Sequence, residues 1–431
     1  MFAGVCRAFF DIVFSMTRMA LFVVDDTSTE QMLQASTWLL ERAVEVHWSC
    51  ISSPGWEGVP NLSSNSRAPR TDSFKIMLPL LSRCGNLSSL SLTGVVVSGE
   101  HQQAIYSLPY LRKITLRSAR FQCTALEMPK HNVTHIRFFN VPGEVALSYI
   151  LRQTSSTLVT LRVSEGSRKA FSLDTPRCPR LTVFTHNSLR HANKEVISFL
   201  GRHPNIRVIW LNERYAHLDL GPTLLPKLTK VTANGKLGRF FFARPELREY
   251  SQHTNDRIGS VRELWSWLVQ AQRSQLHQPR LEQLRVAIMH NSDDLGALPV
   301  ISYVFGSSLR KLHIWVEEYQ WGCSRRNFSY LLDRWTALKG PGAYHGDQAT
   351  VVFAHLRSIQ VSFRMIKGAK FPERICRVLL RDRILPLCPV LVEALFTAIS
   401  SYKTIEREEP EDGMELRIRK NGGGWDLPPK D

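Results

Sequence analysis

A six-residue pattern with apolar residues at its first, fourth and sixth positions recurs along most of the chain. The pattern begins at eleven places: Leu87, Leu111, Val133, Leu158, Leu181, Ile206, Leu228, Leu247, Leu281, Leu309 and Leu356. Successive starts are 24, 22, 25, 23, 25, 22, 19, 34, 28 and 47 residues apart. The near-constant interval indicates a repeated structural unit, and the last three intervals indicate insertions between units.

The first seven intervals lie in or just below the range of about 20 to 29 residues that is typical of leucine-rich repeats. Segments with helical spacing of apolar residues fall between the strands, for example residues 144–154, 194–200, 261–272 and 328–338. A single strand-turn-helix unit of this size cannot bury its own apolar face, so the units must stack. The sequence therefore predicts an α/β fold over residues 25–402: an irregular leucine-rich-repeat solenoid with a parallel concave sheet and helices on the convex side.

Proline marks the start of many units. It stands two residues before the leading apolar residue in six of the eleven, at Pro109, Pro179, Pro204, Pro226, Pro245 and Pro279. Because proline lacks an N–H and disfavours helix at the residue before it, we expect it to end the preceding helix and to admit a strand. Residues 388–391, Cys-Pro-Val-Leu, repeat the arrangement before a segment too rich in alanine to assign to strand or helix.

Charge and cysteine content narrow the classes of partner. The chain has 55 Lys and Arg against 38 Asp and Glu, a formal charge of +17, which favours an acidic partner without choosing between nucleic acid, phosphoprotein and anionic membrane.

Its 8 cysteines include no C-x-x-C pair, so we expect buried free thiols rather than a zinc site or a disulfide framework. Arg7, Asp11 and Arg18 interrupt the apolar N-terminus, leaving no run of about 18 apolar residues that could span a membrane. We expect a cytoplasmic or nuclear protein that needs no cofactor and has no membrane partner.

Strand alternation identifies a candidate binding surface. Residues at the third, fifth and seventh positions of each pattern should project from the concave sheet, where seven Lys or Arg stand against one acid, Glu249. Arginine forks suit carboxylates and phosphates, and exposed tryptophans anchor protein interfaces. These positions predict binding of an acidic or phosphorylated protein segment; solvated charges on an open sheet are the alternative. The candidate residues are Lys113, Arg117, His135, Arg137, Arg162, Trp210, Lys230, Arg285, Lys311, His313 and Trp315.

Short motifs near both ends of the chain resemble those of a known family. Residues 5–13, Val-Cys-Arg-Ala-Phe-Phe-Asp-Ile-Val, fit the pattern V-C-R-x-W-x-x-I with Phe9 in place of the tryptophan, and residues 28–42 end in a segment similar to W-L-E-R. These motifs resemble the end of an F-box and the helix that follows it in fungal F-box proteins with a leucine-rich-repeat recognition domain. By this resemblance residues 44–48 form the first solenoid strand, and residues 413–419 form the closing strand after an acidic linker, within a terminal segment 403–431.

The resemblance implies a substrate-recognition subunit of a cullin-type ubiquitin ligase. The remnant of its adaptor-docking surface would consist of Val5, Cys6, Arg7, Phe9 and Ile12. The first half of an F-box would precede Met1, so either the true start lies further upstream or this chain has lost ligase docking. A plain N-terminal capping helix over residues 1–24 is the other interpretation of this segment.

Other functions find less support in the sequence. No nucleophile elbow, H-E-x-x-H motif or recognisable carboxylate pair is present, so we expect no enzyme. His131 and His135 lie about 13 Å apart if they belong to one strand, too far to share a metal ion. His186 occupies an inward position and is predicted to belong to the core. The rival to a protein-binding solenoid is a basic nucleic-acid-binding solenoid, and a leucine-rich-repeat scaffold without ligase docking is a further alternative.

Overall fold

Two compact units, Met1–Ile206 and Arg207–Asp431, make up the chain. We refer to them as the N-terminal unit and the C-terminal unit. The computed structural model describes residues 19–23, 40–41, 43–49, 74–121, 132–139, 141, 150–164, 173, 176–187, 193–211, 215, 218, 220–221, 223–233, 241–242, 244–252, 280–289, 301–302, 305–317, 353–365, 373–400, 414–421, 424–425 and 427.

A parallel sheet runs through the N-terminal unit. The described strands are β1 (Met19–Val23), β2 (Ala43–Ser49), β3 (Ser89–Thr93), β4 (Val96–Val97), β5 (Lys113–Arg117), β6 (Arg120–Phe121), β7 (His135–Phe139), β8 (Thr160–Ser164) and β9 (Val183–Asn187). The sheet follows chain order, β1-β2-β3-β5-β7-β8-β9, while β4 and β6 pair with each other. Each strand pairs in parallel with the strand one repeat away, as Ser89 does with Lys113 and Lys113 with His135.

The C-terminal unit continues the same plan. Its described strands are β10 (Val208–Leu211), β11 (Lys230–Ala233), β12 (Glu249–Gln252), β13 (Gln283–Met289), β14 (Lys311–Glu317), β15 (Ser358–Met365), β16 (Glu393–Ser400), β17 (Met414–Asn421) and β18 (Gly424–Trp425). Strands β10 to β16 pair in parallel in chain order. Strand β17 then joins β16 in the antiparallel sense, and β18 joins β17.

Helices occupy connections between successive strands. Among the described residues these helices include α1 (Phe74–Arg83), α2 (Gly99–Ser107), α3 (Asn193–Arg202) and α4 (Glu373–Leu379). Helix α4 is followed by a π-helical turn, Leu380–Ile384, and a 3₁₀ turn, Leu385–Leu387. Helix α3 buries Val196, Phe199 and Leu200, which share one face by helical spacing. The ring of Phe199 lies 4.6 Å from that of Phe184 on β9, so this helix packs on the inward face of the sheet.

The six-residue pattern places its apolar residues as predicted. In the repeat that begins at Leu87, Leu87, Leu90 and Leu92 are all fully buried, while Ser89 and Ser91 between them are half-buried. The same alternation holds in the repeats from Leu111 to Leu356, except that Thr160 at a third position is also buried. Each buried aliphatic side chain contributes about 1.5 to 3 kcal/mol. Together with the parallel register, this burial confirms the irregular leucine-rich-repeat solenoid.

The prolines act in a different place from the one predicted. In repeat after repeat the leading apolar residue donates its backbone N–H to the carbonyl three residues earlier, as Leu181 does to Cys178 at 3.1 Å and Ile206 to His203 at 3.2 Å. Pro179 and Pro204 are the second residues of these turns, where the fixed φ of proline is favourable. Strands β9 and β10 begin four residues after Pro179 and Pro204. These prolines therefore lie in the turn before the strand, and the expectation that proline stands at the start of the strand was wrong.

Three of the turns begin with a buried cysteine. Cys84, Cys178 and Cys388 are the first residues of their turns, and Cys376 lies in α4. All four are free and buried. Burial raises the pKa of the first two thiols to about 11 and of the last two to about 12, so they stay protonated and unreactive at neutral pH. The predicted buried free thiols are therefore confirmed for these four, and Cys6, Cys50, Cys123 and Cys323 lie outside the described residues.

Two segments differ from their sequence assignment. Residues Met19–Val23, within the predicted F-box remnant or capping helix, form strand β1. The sequence did not predict this strand, because the periodicity of a five-residue apolar run does not distinguish strand from helix. Glu393–Ser400, left unassigned for its alanines, forms β16 and pairs with β15 over its whole length. The predicted strand at residues 44–48 is confirmed as β2, and the closing strand as β17.

The predicted helices have a mixed outcome. Residues 150–154 are helical and α3 covers 194–200, whereas residues 261–272 and 328–338 lie outside the described part of the chain, as does the acidic linker at 406–412. Within the part of the chain that the structure describes, no helix combines the length and apolar character needed to cross a membrane.

A buried histidine connects two repeats. His203 is 1% exposed; its Nδ1–H donates to the Phe199 carbonyl at 2.6 Å, and its Nε2 accepts the backbone N–H of Cys178 at 3.0 Å. Burial lowers the pKa of His203, the nearby guanidinium of Arg202 lowers it further, and the neutral ring is the form that can accept from Cys178. His203 thus fixes the turn of one repeat to the helix of the next.

We expect His203→Ala to lower the free energy of unfolding by about 2 to 4 kcal/mol, because it opens a cavity and leaves the Cys178 N–H buried without a partner. Urea unfolding followed by circular dichroism would measure the change. His355→Ala, at an exposed turn position, is the matched control and should change stability by less than about 0.5 kcal/mol. Equal effects of the two substitutions would contradict the role assigned to His203.

Candidate functional site

The third, fifth and seventh positions of the repeats form the open face of each sheet. Their side chains are mostly half-buried or exposed, in contrast to the fully buried positions between them. Parallel register places equivalent positions of neighbouring strands side by side, about 4.8 Å apart. Charged residues that are 20 or more positions apart in sequence therefore become neighbours on this face.

Five of the predicted binding residues meet on β5, β7 and β8 of the N-terminal unit. In the register Lys113 stands opposite His135, and Arg137 stands opposite Arg162. Arg117 ends β5 on the same face, with its guanidinium carbon 5.0 Å from the centre of the Phe139 ring. We name this group, Lys113, Arg117, His135, Arg137 and Arg162, the cationic patch.

The electrostatics of His135 show how closely the charges converge. Partial burial lowers the pKa of this histidine, and the positive charges of Lys113, Arg137 and Arg162 lower it further. At neutral pH the ring is therefore uncharged, and its Nδ1 lies 2.8 Å from the hydroxyl of Thr134. The patch carries its charge on the lysine and the three arginines, around a neutral histidine.

One arginine of the patch has an unused donor. The Nε of Arg162 is buried and has no hydrogen-bond partner in the structure. Guanidinium N–H groups of this kind are normally satisfied when they are removed from water. The arginine is thus held partly desolvated, in a state in which it would gain from an incoming acceptor.

Glu45, an acidic residue that the sequence-based count of open-face charges did not include, lies beside the cationic patch. Glu45 lies at the third position of β2, accepts a hydrogen bond from Ser89 at 3.0 Å, and has His47 Nε2 at 3.2 Å and Lys113 Nζ at 4.0 Å. The excess of positive charge on the open face is thus smaller than predicted at this edge. An exposed pair at 4.0 Å contributes less than about 1 kcal/mol, so Lys113 stays available to a ligand.

The predicted residues on β10 and β11 do not form a comparable charged group. Trp210 is half-exposed on β10, as expected for an open-face position. Lys230 on β11 forms an ion pair with Glu249 on β12, with Nζ 2.8 Å from the carboxylate oxygen. The two charges cancel, so Lys230 adds little to the positive surface.

A second set of polar side chains lies on β13 to β16. Arg285, His313 and Gln360 occupy the fifth positions of three neighbouring strands, and Trp315, Ser362 and Thr397 occupy the seventh positions. We name these six residues the polar cluster. Lys311 on β14 lies beside them and is exposed.

Hydrogen bonds inside the polar cluster centre on Ser362. Its hydroxyl lies 2.7 Å from His313 Nε2 and 2.6 Å from the Thr397 hydroxyl, and it accepts from Gln360 Nε2 at 3.2 Å. Ser362 is 1% exposed and Thr397 5%. Burial, together with the charge of Arg285, lowers the pKa of His313 to about 3.

The approach of Ser362 to His313 has the distance of a nucleophile and its general base. The environment does not support that chemistry, because a histidine with a pKa of about 3 is a poor proton acceptor at neutral pH and the serine is inaccessible. We assign the serine hydroxyl to the hydrogen-bonded network of the cluster.

Trp315 differs from its prediction. It was expected as an exposed anchor, yet it is only 3% exposed, and its indole N–H has no hydrogen-bond partner in the structure. Alternation correctly predicts the face on which a residue lies but not how deeply its neighbours cover it. Trp315 is therefore an internal wall of the polar cluster rather than a free contact surface.

Sequence reasoning also missed Glu45, Ser362 and Thr397. The first and last belong to strands outside the eleven patterns, and the alanine-rich context of Thr397 carried no signal. Ser362 lies at a seventh position, which the pattern places on the open face, but only charged and aromatic residues were chosen from these positions. The adaptor-docking residues Val5, Cys6, Arg7, Phe9 and Ile12 lie outside the described residues, and so does His131, which was considered and rejected as part of a metal pair with His135.

His186 lies in the core, fully buried, as predicted. Among the described residues, no group of three or more His, Cys, Asp or Glu side chains is arranged to hold a metal ion.

Comparison with known proteins gives likenesses to solved structures but no family. No protein-family model matches the sequence, and the search of curated proteins found no match. Among solved structures, the crystal structure of an internalin from Listeria monocytogenes is similar to this chain, with 11% sequence identity, a TM-score of 0.30, and coverage of 67% of this chain and 87% of that one. The fold assignment depends on the register and burial given above.

The neutral state of His313 predicts a pH dependence of stability. Its folded-state pKa is lowered from 6.5 to about 3, so the unfolded chain takes up a proton near pH 6.5 while the folded chain does not. The contribution of this residue is therefore complete above pH 6.5 and declines as the pH falls towards 3. We expect His313→Gln to flatten this part of the profile of unfolding free energy against pH, measured by urea titration. A variant profile parallel to that of the wild type would contradict the prediction.

Proposed function

We propose that the chain is a non-catalytic recognition solenoid that binds an acidic or phosphorylated segment of a partner protein through the cationic patch. One observation carries the proposal: Lys113, Arg137 and Arg162, on three adjacent strands, converge on His135, and after burial these three charges lower its pKa further. No acid occupies a third, fifth or seventh position of these three strands.

The size of the patch fits a short segment of protein. Strands β5 and β8 are two strand spacings apart, about 10 Å, and Lys113 and Arg117 are about 13 Å apart along β5. An area of this size accommodates a few residues with one or two anionic groups. A nucleic-acid ligand would instead require contacts to about six to ten phosphates for comparable electrostatic binding, which favours a larger basic surface.

The side chains also have suitable chemistry. Arg137 and Arg162 are register neighbours, and two guanidinium groups at this spacing can bind one phosphate or carboxylate from both sides. The unused Nε of Arg162 supplies a donor that the protein leaves unsatisfied. A phosphate, with three acceptor oxygens, suits this arrangement best.

We expect the triple variant Lys113→Gln, Arg137→Gln, Arg162→Gln to bind a fluorescent peptide with phosphoserine among glutamates at least about 100-fold more weakly than the wild type, because each charge-assisted hydrogen bond contributes about 1.5 to 3 kcal/mol. Fluorescence anisotropy at physiological salt measures the affinities. The control is Arg177→Gln, Arg180→Gln, Lys194→Gln, which removes the same charge from exposed positions of the same unit.

The control should bind nearly as well as the wild type, because charges away from the patch are screened beyond about 8 Å. Equal losses in the two triple variants would show that only net charge matters, contrary to the proposal. The same titration with single-stranded RNA tests the rival. RNA binding that is tighter than peptide binding and falls steeply with salt would replace the proposed function with nucleic-acid binding.

We propose in addition that residues 5–13 dock the adaptor subunit of a cullin-type ubiquitin ligase, which makes the solenoid a substrate receptor. The support is the similarity of Val5, Cys6, Arg7 and Ile12 to the V-C-R-x-W-x-x-I motif, with Phe9 as an aromatic replacement. In this role the solenoid binds the client, and its partners carry out ubiquitin transfer.

We expect the chain to co-purify with a co-expressed adaptor subunit, and the double variant Val5→Asp, Phe9→Asp to lose at least about 90% of the captured adaptor, since each charge enters an apolar contact. Phe10→Asp is the matched control, because the motif leaves that position open. Failure of the wild type to capture the adaptor would leave a recognition scaffold without ligase docking.

A further inference from the structure

Arg285 in the polar cluster is a half-buried cation without a counter-ion among the described residues. Its Nε is buried and has no hydrogen-bond partner in the structure, and no carboxylate among the described residues lies within ion-pair distance of its guanidinium. Burial lowers the pKa of this arginine, which reports the cost of holding the charge away from water. Such charges are normally paired, so Arg285 lacks the partner that its environment calls for.

Trp315 supplies a second unused donor on the same face. It lies two residues beyond His313, the register neighbour of Arg285, so Arg285 and Trp315 are diagonal neighbours. Diagonal positions on adjacent strands are about 7 to 8 Å apart, within the reach of these two long side chains. The indole N–H of Trp315 is buried without a partner and is a donor only.

The remaining polar groups of the cluster are already engaged with one another. Ser362 holds His313, Gln360 and Thr397 in a hydrogen-bonded row, and the burial of Ser362 and Thr397 keeps that row fixed. This leaves the guanidinium of Arg285 and the indole of Trp315 as donors directed at no protein acceptor. Arg285 is only half-buried as a whole, so a ligand can reach it from the open face.

We propose that the polar cluster is a carboxylate-binding site, in which the half-exposed Arg285 binds the anion beside the buried indole of Trp315, whose N–H reports the bound anion. The charge count favours a carboxylate over a phosphate. His313 is neutral, and Lys311, on the other diagonal from Arg285, is exposed to water. The partly desolvated part of the site therefore offers one positive charge, that of Arg285, which a carboxylate balances and a phosphate dianion exceeds.

The carboxylate can come from an acidic side chain or from the C-terminus of a partner protein. Both present the same two oxygens, and the experiment below separates them. The site belongs to the C-terminal unit and uses no residue of the cationic patch. Its existence is therefore independent of the function proposed above, and either can fail without the other.

The test follows the indole N–H of Trp315 by NMR in the full chain labelled with ¹⁵N-tryptophan, with Trp315→Phe to assign the resonance. Acetate, inorganic phosphate and chloride are titrated at constant ionic strength. We expect a saturable shift with acetate, at least about 10-fold weaker binding of phosphate, and loss of the acetate response in Arg285→Gln. Arg180→Gln, an exposed arginine of the N-terminal unit outside the cationic patch, is the matched control and should respond as the wild type does.

Two peptides identify the source of the carboxylate. One has a free C-terminus and no acidic side chain, and the other has an internal glutamate and an amidated C-terminus. Stronger binding of the first assigns the site to chain termini, and of the second to acidic side chains. No acetate response in the wild type, a response unchanged in Arg285→Gln, or tighter binding of phosphate than of acetate would overturn the proposal.

A stability measurement separates binding from a structural role of Arg285. Removal of an unpaired buried charge should leave the Tm of Arg285→Gln equal to or above that of the wild type, and acetate should raise the Tm of the wild type alone. A clear drop in the Tm of Arg285→Gln without ligand would show that the arginine holds the fold together, which contradicts the assignment.

Discussion

One backbone carbonyl in each repeat sets the register on which the whole surface depends. The second residue of a pattern accepts the N–H groups of the second and third residues of the next: Ser88 accepts from Arg112 and Lys113, and Arg112 in turn from Thr134 and His135. The same arrangement recurs from Arg207 to Arg357 in the C-terminal unit. Because this contact leaves no freedom to slip by one residue, equivalent positions align in rows, and apolar rows face the core.

The alignment of equivalent positions in rows brings like charges of neighbouring strands close together. A single arginine on a strand is a solvated side chain, but arginines at the same position of neighbouring strands are only one strand spacing apart. Each then loses some hydration to the other and repels it. His135 beside them has a pKa lowered first by its own burial and further by the charges of Lys113, Arg137 and Arg162. The protein tolerates this repulsion on β5, β7 and β8, whereas on β11 and β12 it neutralises the charge with the Lys230–Glu249 pair. The contrast makes the first group a candidate binding surface.

The sequence predicted which face each residue occupies, because alternation in a strand has a period of two and the leading leucines fix its phase. It did not predict depth or pairing. Trp315 and Ser362 lie on the predicted side but are buried, and the partners of Lys113 and Lys230 are set by the neighbouring strand rather than by their own. The strand Met19–Val23 was not predicted, because the periodicity of five consecutive apolar residues does not distinguish a strand from a helix. The local sequence pattern predicts the face of the sheet on which a residue lies. Its burial and its charge partner depend on residues of the neighbouring strands.

Two buried arginines show why the partners of a charge carry more information than its burial. Burial lowers the pKa of both Arg244 and Arg285. Arg244 donates to the carbonyls of Leu224, Leu225 and Gly221, in a turn where Leu225 has a φ of 59°, and so stabilises a strained loop. The Nε of Arg285 has no such acceptor, although the desolvation cost is of the same kind. A fold that satisfies one buried guanidinium with carbonyls can satisfy another, so the unsatisfied one is better explained by a ligand than by the demands of packing.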